Sequence, residues 1–508
     1  MKRYLYLVHR WLGITLCLFM AMWFLSGIVM MYVGYPKLTA DERRAGAGSI
    51  DPARCCVDLA TALAATGESR PPDSVRLTSI AGTPTYVLTY GKTQAIAVRG
   101  DTGLRVQNVL PEAAVQASRS FGGGVDAEYA GEIQEDAWSH SKALTAHRPL
   151  HKVYLSDHAQ TLIYVSSATG EVALDVPRTE RIWNWVGAWI HWLYPFRGGA
   201  IDAYWHDIVV YGSLVGTILA LTGFTVGLMR WRFGAPYKTG SHSPYREGYM
   251  WWHHIVGLCF GVTAVTFVFS GMMSMNPWKL FDPSETTFDV KAFTGGDIEP
   301  SHFRLNVSQA LTLFKKDEFD PAEIECRVVD GKGYYVAFRG DGATRILAAE
   351  PGAEPQERLS FDLLTGPASR LVKANVVRNT ILTAFDTYYF PREPHTLYGN
   401  VDKRLPVMRL EFDDANGTWV HIDPHTGTAL GRIDVQRRMS RWLFSFLHSW
   451  DWPALLDARP LWDMFMIALN LGGFGISVTG AVIGWRRLKK KFARSISAPS
   501  LERKTSST

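Results

Sequence analysis

The run LGITLCLFMAMWFLSGIVMMYV at residues 12–33 decides the fold class, because it contains no charged side chain. A helix rises about 1.5 Å per residue, so a run of this length covers the hydrocarbon core of a bilayer, about 30 Å thick. Three more uncharged runs of similar length lie at 208–229, 255–275 and 464–485. The sequence therefore predicts an α-helical membrane protein with four transmembrane helices.

The rest of the chain has the composition of a soluble protein. The 508 residues have a net charge of +5 and a mean hydropathy of −0.03, an average that conceals the four apolar runs. Segments 34–205 and 277–460 are each long enough to form a domain. Aromatic residues make up 12% of the chain, which argues against a largely disordered protein.

Positive charges cluster at three places that would share one side of a membrane. They are Lys2 and Arg3 before the first run, Arg230, Arg232, Lys238 and Arg246 around the link between the second and third runs, and the basic segment 486–491. Cytoplasmic loops are enriched in Lys and Arg. We therefore expect a multi-pass protein of the bacterial inner membrane, with both termini cytoplasmic and the long segments periplasmic. The first run is too long for a signal peptide and lacks a cleavage pattern, which predicts an uncleaved anchor.

These features divide the chain into eight predicted parts. They are 1–35 (first transmembrane helix), 36–180 (periplasmic α+β domain), 181–232 (interfacial segment and second helix), 233–247 (cytoplasmic loop), 248–276 (third helix), 277–437 (second periplasmic domain), 438–488 (interfacial segment and fourth helix) and 489–508 (basic cytoplasmic tail). The order of parts in the first half recurs in the second.

Two shifts superpose the special residues of one half on the other. A shift of 244 residues pairs His9 with His253, Gly13 with Gly257 and Ser26-Gly27 with Ser270-Gly271. A shift of 257 residues pairs Arg181 with Arg438, Trp185 with Trp442, His191 with His448, Trp205 with Trp462, Gly216 with Gly473 and Thr222-Gly223 with Thr479-Gly480. We interpret the pattern as an internal duplication, which implies a pseudo-twofold axis along the membrane normal.

The two long segments show the pattern of α+β domains. Alternating stretches that end in Thr-Gly predict strands and tight turns at 95–103, 162–170, 359–366 and 419–427, since glycine accepts a positive φ. Residues 57–66, 112–120 and 306–316 have the pattern of short helices. Of the five cysteines, Cys55, Cys56 and Cys326 lie outside the apolar runs; because neighbouring cysteines rarely bridge each other, we expect at most one disulfide bond, to Cys326.

Histidines at the ends of the apolar runs are the main candidates for function. Ionisable side chains are costly in a membrane and mark functional sites there. His9 and His253 form one pair related by the repeat, and His191 and His448 form a second pair at another depth. His206 and His254 are alternative ligands. Hydrogen bonding across helix interfaces, or anchoring at the membrane interface, is the purely structural reading of all six.

A pair of histidines suits haem better than a lone metal ion. Zinc prefers four protein ligands, whereas haem iron needs only two axial ligands because the porphyrin supplies four nitrogens. Gly13 and Gly257, one turn from His9 and His253, would leave room for a flat macrocycle. The sequence predicts about two b-type haems, noncovalently bound because there is no C-x-x-C-H motif. Arg181 and Arg438 would contact haem propionates, an anionic substrate or lipid headgroups.

In combination, several short motifs resemble the PepSY-associated transmembrane proteins. They are His9-Arg-Trp-Leu-Gly13, His253-His-Ile-Val-Gly257, the two Ser-Gly pairs, Pro406-Val-Met-Arg-Leu and Trp419-Val-His-Ile-Asp-Pro-His-Thr-Gly427. The family includes inner-membrane ferric-siderophore reductases that carry haem on helix histidines. The resemblance implies PepSY-like periplasmic domains and transfer of electrons to a periplasmic ferric chelate.

The leading hypothesis is thus a haem-containing oxidoreductase that reduces ferric siderophores or other ferric chelates outside the membrane. With no dinucleotide fingerprint, P-loop or flavin domain in the sequence, its donor must be a partner protein, a quinol or a small reductant. The alternative is a non-enzymatic periplasmic binding or regulatory protein anchored by its helices. A transporter is a weaker hypothesis, because the spans contain no acidic residue to couple ions.

Overall fold

The computed structural model describes residues 2–197, 199–283, 286–396, 399 and 401–496. The chain divides into two compact units. We call Met1–Tyr32, Val186–Asp282 and Met439–Thr508 the helical unit, and Val33–Trp185 with Pro283–Arg438 the sheet unit. Each unit thus draws on both halves of the sequence.

Fourteen α-helices occur among the described residues. In chain order they are α1 (Lys2–Met30), α2 (Ala40–Ala47), α3 (Leu59–Thr66), α4 (Pro111–Phe121), α5 (Arg178–Asn184), α6 (Trp205–Arg230), α7 (Tyr249–Ser274), α8 (Val290–Thr294), α9 (Val307–Lys316), α10 (Phe361–Ser369), α11 (Val435–Ser440), α12 (Leu447–Ser449), α13 (Pro453–Leu456) and α14 (Leu461–Ile496). Those that begin after a polar residue are capped by it. Asn306, for example, accepts a hydrogen bond from the main chain of Gln309 at the start of α9.

Four of these helices are long and apolar enough to cross a membrane, as predicted. The apolar segments are Lys2–Met30, Asp202–Arg230, Tyr249–Ser274 and Leu461–Ala493. In the helical unit, α1 packs against α6 and α14, and α7 packs against the same two helices. Between them lie buried apolar side chains, including Met20, Phe24 and Phe267. The prediction of a membrane protein with four apolar helices and separate α+β structure is confirmed at this level.

Among the described residues of the sheet unit, fourteen strands form three antiparallel sheets. They are β1 (Ser74–Ile80), β2 (Thr83–Tyr90), β3 (Gln94–Arg99), β4 (Ala127–Ile133), β5 (Leu150–Leu155), β6 (Leu162–Ser166), β7 (Val172–Val176), β8 (Glu323–Val329), β9 (Lys332–Phe338), β10 (Thr344–Ala348), β11 (Val376–Leu382), β12 (Val407–Phe412), β13 (Trp419–Asp423) and β14 (Thr428–Ile433). The sheet orders are β10-β9-β8-β1-β2-β3, β4-β5-β6-β7 and β11-β12-β13-β14.

The six-stranded sheet joins the two long segments that the sequence assigns to two domains. Strand β1 pairs with β8, with Val75 opposite Cys326, Arg76 opposite Glu325 and Leu77 opposite Ile324. Three strands of the first segment and three of the second thus share one sheet. Helices α3 and α9 contribute Leu59, Leu311 and other apolar side chains to the same buried cluster. Both segments therefore belong to one compact unit.

Two local predictions for the sheet unit are wrong. Residues 359–366, predicted as a strand and turn, begin helix α10, because the Ser360 side chain caps the main-chain N–H of Leu363 and the helix buries Leu364. Cys55 bonds to its neighbour Cys56, whereas Cys326 is free and buried. The bond to Cys326 that the sequence allowed therefore does not form, and the expectation that the two neighbouring cysteines do not bridge each other is wrong. The short helices at 57–66, 112–120 and 306–316 are confirmed as α3, α4 and α9.

A buried cluster of ion pairs connects helix α2 with the six-stranded sheet. The Glu323 side chain is fully buried and pairs with Arg43, Arg44 and Arg76. Burial alone would raise the pKa of Glu323, but the nearby charges of Arg43 and Arg76 and the hydrogen bond from Arg43 hold it well below its ordinary value. Glu171, also buried, pairs with Arg76 and Arg43. This carboxylate pair neutralises most of the positive charge in the cluster.

Candidate functional site

The first candidate site lies between α1 and α7, which are diagonal to each other in the helical bundle. His9 on α1 and His253 on α7 have ring centroids 6.1 Å apart, with ring planes at 29°. They lie 244 residues apart in the chain, so packing of the bundle alone brings them together. The predicted pairing of His9 with His253 therefore exists as a close pair of rings.

Each ring of this pair is hydrogen bonded to the backbone of a neighbouring helix through Nδ1. The Nδ1 of His9 lies 3.4 Å from the carbonyl oxygen of Leu219 on α6. The Nδ1 of His253 lies 3.0 Å from the carbonyl of Ile476 on α14 and 3.1 Å from the hydroxyl of Thr479. A carbonyl oxygen only accepts, so Nδ1 carries the proton in the neutral ring and Nε2 keeps its lone pair.

Glycines allow these rings to lie directly against the adjacent helices. A Cβ at Gly223 on α6 would lie 2.6 Å from Cε1 of His9. A Cβ at Gly480 on α14 would lie 3.2 Å from Cε1 of His253 and 2.6 Å from the sulfur of Cys17. Carbon atoms in contact are about 3.5–4.0 Å apart, so both positions need glycine to keep the rings in place.

Gly13 and Gly257, which the sequence singles out instead, are in looser surroundings. A Cβ at Gly13 would make only ordinary contacts of 3.7 Å and 3.8 Å, and one at Gly257 would meet no atom within 4 Å. Open space is thus present beside Gly257, whereas Gly13 faces the side chains of Cys17 and Leu219.

The second candidate site lies near the other end of the bundle. His191 follows a π-helical turn at Trp185–Trp189, and His448 on α12 follows one at Arg441–Phe446. The two ring centroids are 6.1 Å apart, and the ring planes are at 75°. Single π-helical turns occur frequently at functional sites because they redirect side chains.

Serine hydroxyls fix the Nδ1 atoms of this second pair. Ser26 lies 2.9 Å from Nδ1 of His191, and Ser270 lies 3.0 Å from Nδ1 of His448. Both hydroxyls donate their own proton to a main-chain carbonyl three residues earlier, at 3.1 Å and 2.9 Å. With its proton donated to the carbonyl, the serine oxygen accepts from the ring N–H, an arrangement in which these histidines also carry their proton on Nδ1.

All four rings thus present an Nε2 lone pair. Among the described residues, no hydrogen bond to any of these four Nε2 atoms is found. A metal-bound histidine typically has this arrangement, with the other ring nitrogen donating to an oxygen. The described chain also has no group of three or more His, Cys, Asp or Glu side chains that would hold a metal ion by themselves.

The two pairs occupy different depths along the bundle. His9 and Ser26 are seventeen residues apart on α1, as are His253 and Ser270 on α7. At about 1.5 Å per residue, this separates the levels of the two pairs by about 25 Å. Between these levels Phe24 and Phe267 are buried with ring centroids 6.4 Å apart. The space between the pairs is therefore filled by apolar side chains.

The two single histidines have other hydrogen bonds. His254 is buried and uses both ring nitrogens, 2.8 Å from the hydroxyl of Ser243 and 2.9 Å from the carbonyl of Gly227. His206 uses Nε2 at 2.9 Å from the carbonyl of Met275, and its side chain is 49% exposed. Unlike the four paired histidines, His254 and His206 therefore each have a hydrogen-bonded Nε2.

Arg181 and Arg438 bond to strand ends in the sheet unit. Arg181 donates to the carbonyls of Val176 and Gln160, at 3.2 Å and 2.9 Å. Arg438 donates to the carbonyls of Ile433 and Gly417, at 3.1 Å and 2.8 Å. Both guanidinium groups also lie over an aromatic ring. A role for these arginines toward propionates, substrate or lipid stays a prediction.

Sequence reasoning missed the residues that hold the rings. Ser26, Ser270, Gly223 and Gly480 occur in the repeated Ser-Gly and Thr-Gly pairs, so the repeat marked their positions but not their contacts. A search against protein-family models finds no match for this chain, and no curated protein matches it.

Proposed function

We propose that each histidine pair holds one b-type haem and that the protein is a membrane reductase for external ferric chelates. The observation that carries the proposal is the presence of two histidine pairs with the same centroid distance of 6.1 Å, each with Nδ1 engaged. When bound, haem supplies one-electron redox chemistry, which at two depths serves transfer of electrons across a membrane.

The spacing of the rings suits two histidines that would hold one haem iron between them. The ring centroids are 6.1 Å apart in both pairs. His9 and His253 would hold one haem, and His191 and His448 the other.

The bundle supplies the surroundings that such sites need. Apolar side chains such as Phe24 and Phe267 keep water from the space between the two levels. The two levels are about 25 Å apart in a core about 30 Å thick. Haems at both levels would therefore divide the path across the membrane into shorter electron-transfer steps.

The orientation that we propose follows from the distribution of positive charge. Both termini and the link at 234–246 would lie in the cytoplasm, and the sheet unit in the periplasm of a bacterium, because the basic clusters flank the cytoplasmic ends of the spans. A reporter fused after Thr508 or in the link should report cytoplasm, and one near Gly352 should report periplasm. The opposite result would reverse the direction of electron transfer and exclude an external ferric substrate.

The motif resemblance to the PepSY-associated transmembrane proteins supports a ferric siderophore as the substrate class. In this proposal the ferric chelate gains one electron, becomes ferrous and releases its iron more readily. The electron comes from a cytoplasmic donor protein or from a quinol. The matching residues of the two halves support an internal duplication, which would have produced both histidine pairs at once.

A reconstituted system tests the proposal. Purified protein is placed in vesicles that enclose dithionite, with a membrane-impermeant ferric chelate and a ferrous indicator outside. We expect red protein with a Soret band that shifts on reduction, and ferrous iron outside at a rate that His9→Ala abolishes. A colourless protein from haem-replete cells would instead support the anchored binding or regulatory protein.

A further inference from the structure

The two histidine pairs differ in how far side chains contact Nδ1. His9 has a main-chain carbonyl, of Leu219, within hydrogen-bond distance, and His253 has both the carbonyl of Ile476 and the hydroxyl of Thr479. At His191 and His448 the hydroxyls of Ser26 and Ser270 lie 2.9 Å and 3.0 Å from Nδ1. No side-chain substitution can remove a main-chain carbonyl, whereas a single Ser→Ala change removes a hydroxyl.

These serine contacts exceed what a serine in a helix requires. Serine in a membrane helix ordinarily satisfies its hydroxyl by donating to a carbonyl three or four residues earlier. Ser274, one turn after Ser270 on α7, does only this, with its oxygen 2.6 Å from the carbonyl of Gly271. Ser26 and Ser270 make the same bond and in addition accept from a histidine that is far away in the chain.

Burial makes the two hydroxyls hard to replace. Ser26 is 1% exposed and Ser270 is not exposed at all. Water cannot readily take the place of a lost hydroxyl there, so an alanine would remove the side-chain contact of the ring without a substitute. The effect of each serine on its histidine is therefore open to direct measurement.

The acceptor on Nδ1 changes how strongly an axial imidazole donates electrons. Partial transfer of the Nδ1 proton to an acceptor makes the ring more basic at Nε2, which stabilises ferric over ferrous iron and lowers the reduction potential. We propose that Ser26 and Ser270 are positioning residues that orient His191 and His448 and lower the potential of the group they hold. This inference rests on the proposed function.

A lower potential at this end of the bundle suits the proposed reaction. In the proposed orientation, the His191–His448 pair is the one nearer the periplasm and the ferric chelate. The more negative its potential, the more strongly bound a ferric ion it can reduce. The serines would thus help to set which ferric chelates are substrates.

Redox titration of four variants tests the inference, with the two haems followed by their spectra. Ser26→Ala and Ser270→Ala should each raise the potential of the same haem, the one that His191→Ala removes, and the double variant should raise it further. The other haem should keep its potential and report that the bundle is folded. Ser274→Ala, the matched control, should leave both potentials unchanged.

The outcomes separate this inference from the function on which it rests. A protein without haem contradicts the proposed function itself. Two haems whose potentials are the same in Ser26→Ala, Ser270→Ala and Ser274→Ala contradict the role of the serines alone. Shifts of two different haems by Ser26→Ala and Ser270→Ala would show that His191 and His448 do not share one iron.

Discussion

Substitution of Gly223 by alanine should disturb His9 specifically. In an exposed helix, replacing glycine with alanine stabilises the helix by about 1 kcal/mol. At Gly223 the new Cβ would lie 2.6 Å from Cε1 and 2.9 Å from Nδ1 of His9, about 1 Å closer than carbon atoms in contact. The ring must turn away, and its hydrogen bond to Leu219 must break or lengthen.

The expected size of the effect of Gly223→Ala follows from the free-energy cost of overpacking, about 1–3 kcal/mol in a packed interior. If the cost appears in haem binding, the affinity at the His9–His253 pair falls by about 5- to 150-fold, since 1.4 kcal/mol corresponds to a factor of ten. The measurement is the rate of haem transfer to an excess of apomyoglobin, together with the haem content per chain.

Gly212→Ala is the matched control, because Gly212 lies on the same helix and a Cβ there would meet no atom within 4 Å. Gly480→Ala should have a smaller effect on its histidine, since the new Cβ meets Cys17 first and lies 3.2 Å from His253. The reasoning fails if Gly223→Ala and Gly212→Ala lose haem at the same rate.

Three further predictions concern the rings and the charged cluster. His9→Ala should remove the haem of one pair, and His191→Ala should remove that of the other. In an assay with reductant only on the cytoplasmic side, the haem that remains in His9→Ala should stay oxidised. Retention of both haems in either variant would show that the pairing is wrong. Ring planes at 29° in one pair and 75° in the other should give the oxidised protein one rhombic and one large-g low-spin signal in electron paramagnetic resonance, and two identical signals would contradict the two geometries. Glu323→Ala should lower the free energy of unfolding by about 3–5 kcal/mol, because it leaves buried guanidinium groups without their partner, whereas removal of the exposed Asp341 should have little effect. Because the pKa of Glu323 is lower in the folded chain than in the unfolded chain, its contribution to the free energy of unfolding is present above pH about 4.3 and is lost as the pH falls further. The difference in the free energy of unfolding between Glu323→Ala and wild type should therefore narrow in acid. A difference that widened in acid would contradict the role of the cluster.

The sequence predicts the parts of this fold that depend on composition and length. Uncharged runs of this length have one stable form in a membrane, so the four helices follow directly. The histidine pairs follow from the matching residues of the two halves, because an internal duplication would bring corresponding residues together near a common axis. His9 and His253 are therefore predictable as a pair.

Contacts that depend on packing are beyond sequence reasoning. The pattern at 359–366 is compatible with a strand or a short helix, and the Ser360 cap decides between them in the folded chain. The pairing of β1 with β8 depends on how two distant segments meet. Likewise, the 2.9 Å contact between Ser26 and His191 joins residues far apart in the chain, and the local sequence of neither residue predicts it.

The most direct test of the central claim is the number of b-type haems per chain in the purified wild-type protein, measured by the pyridine haemochrome assay against quantitative amino-acid analysis. Two histidine pairs with free Nε2 atoms predict a ratio of two, falling to one when either pair loses a histidine. A ratio near zero in protein from haem-replete cells, or one that stays unchanged in His9→Ala and His191→Ala, would contradict the account.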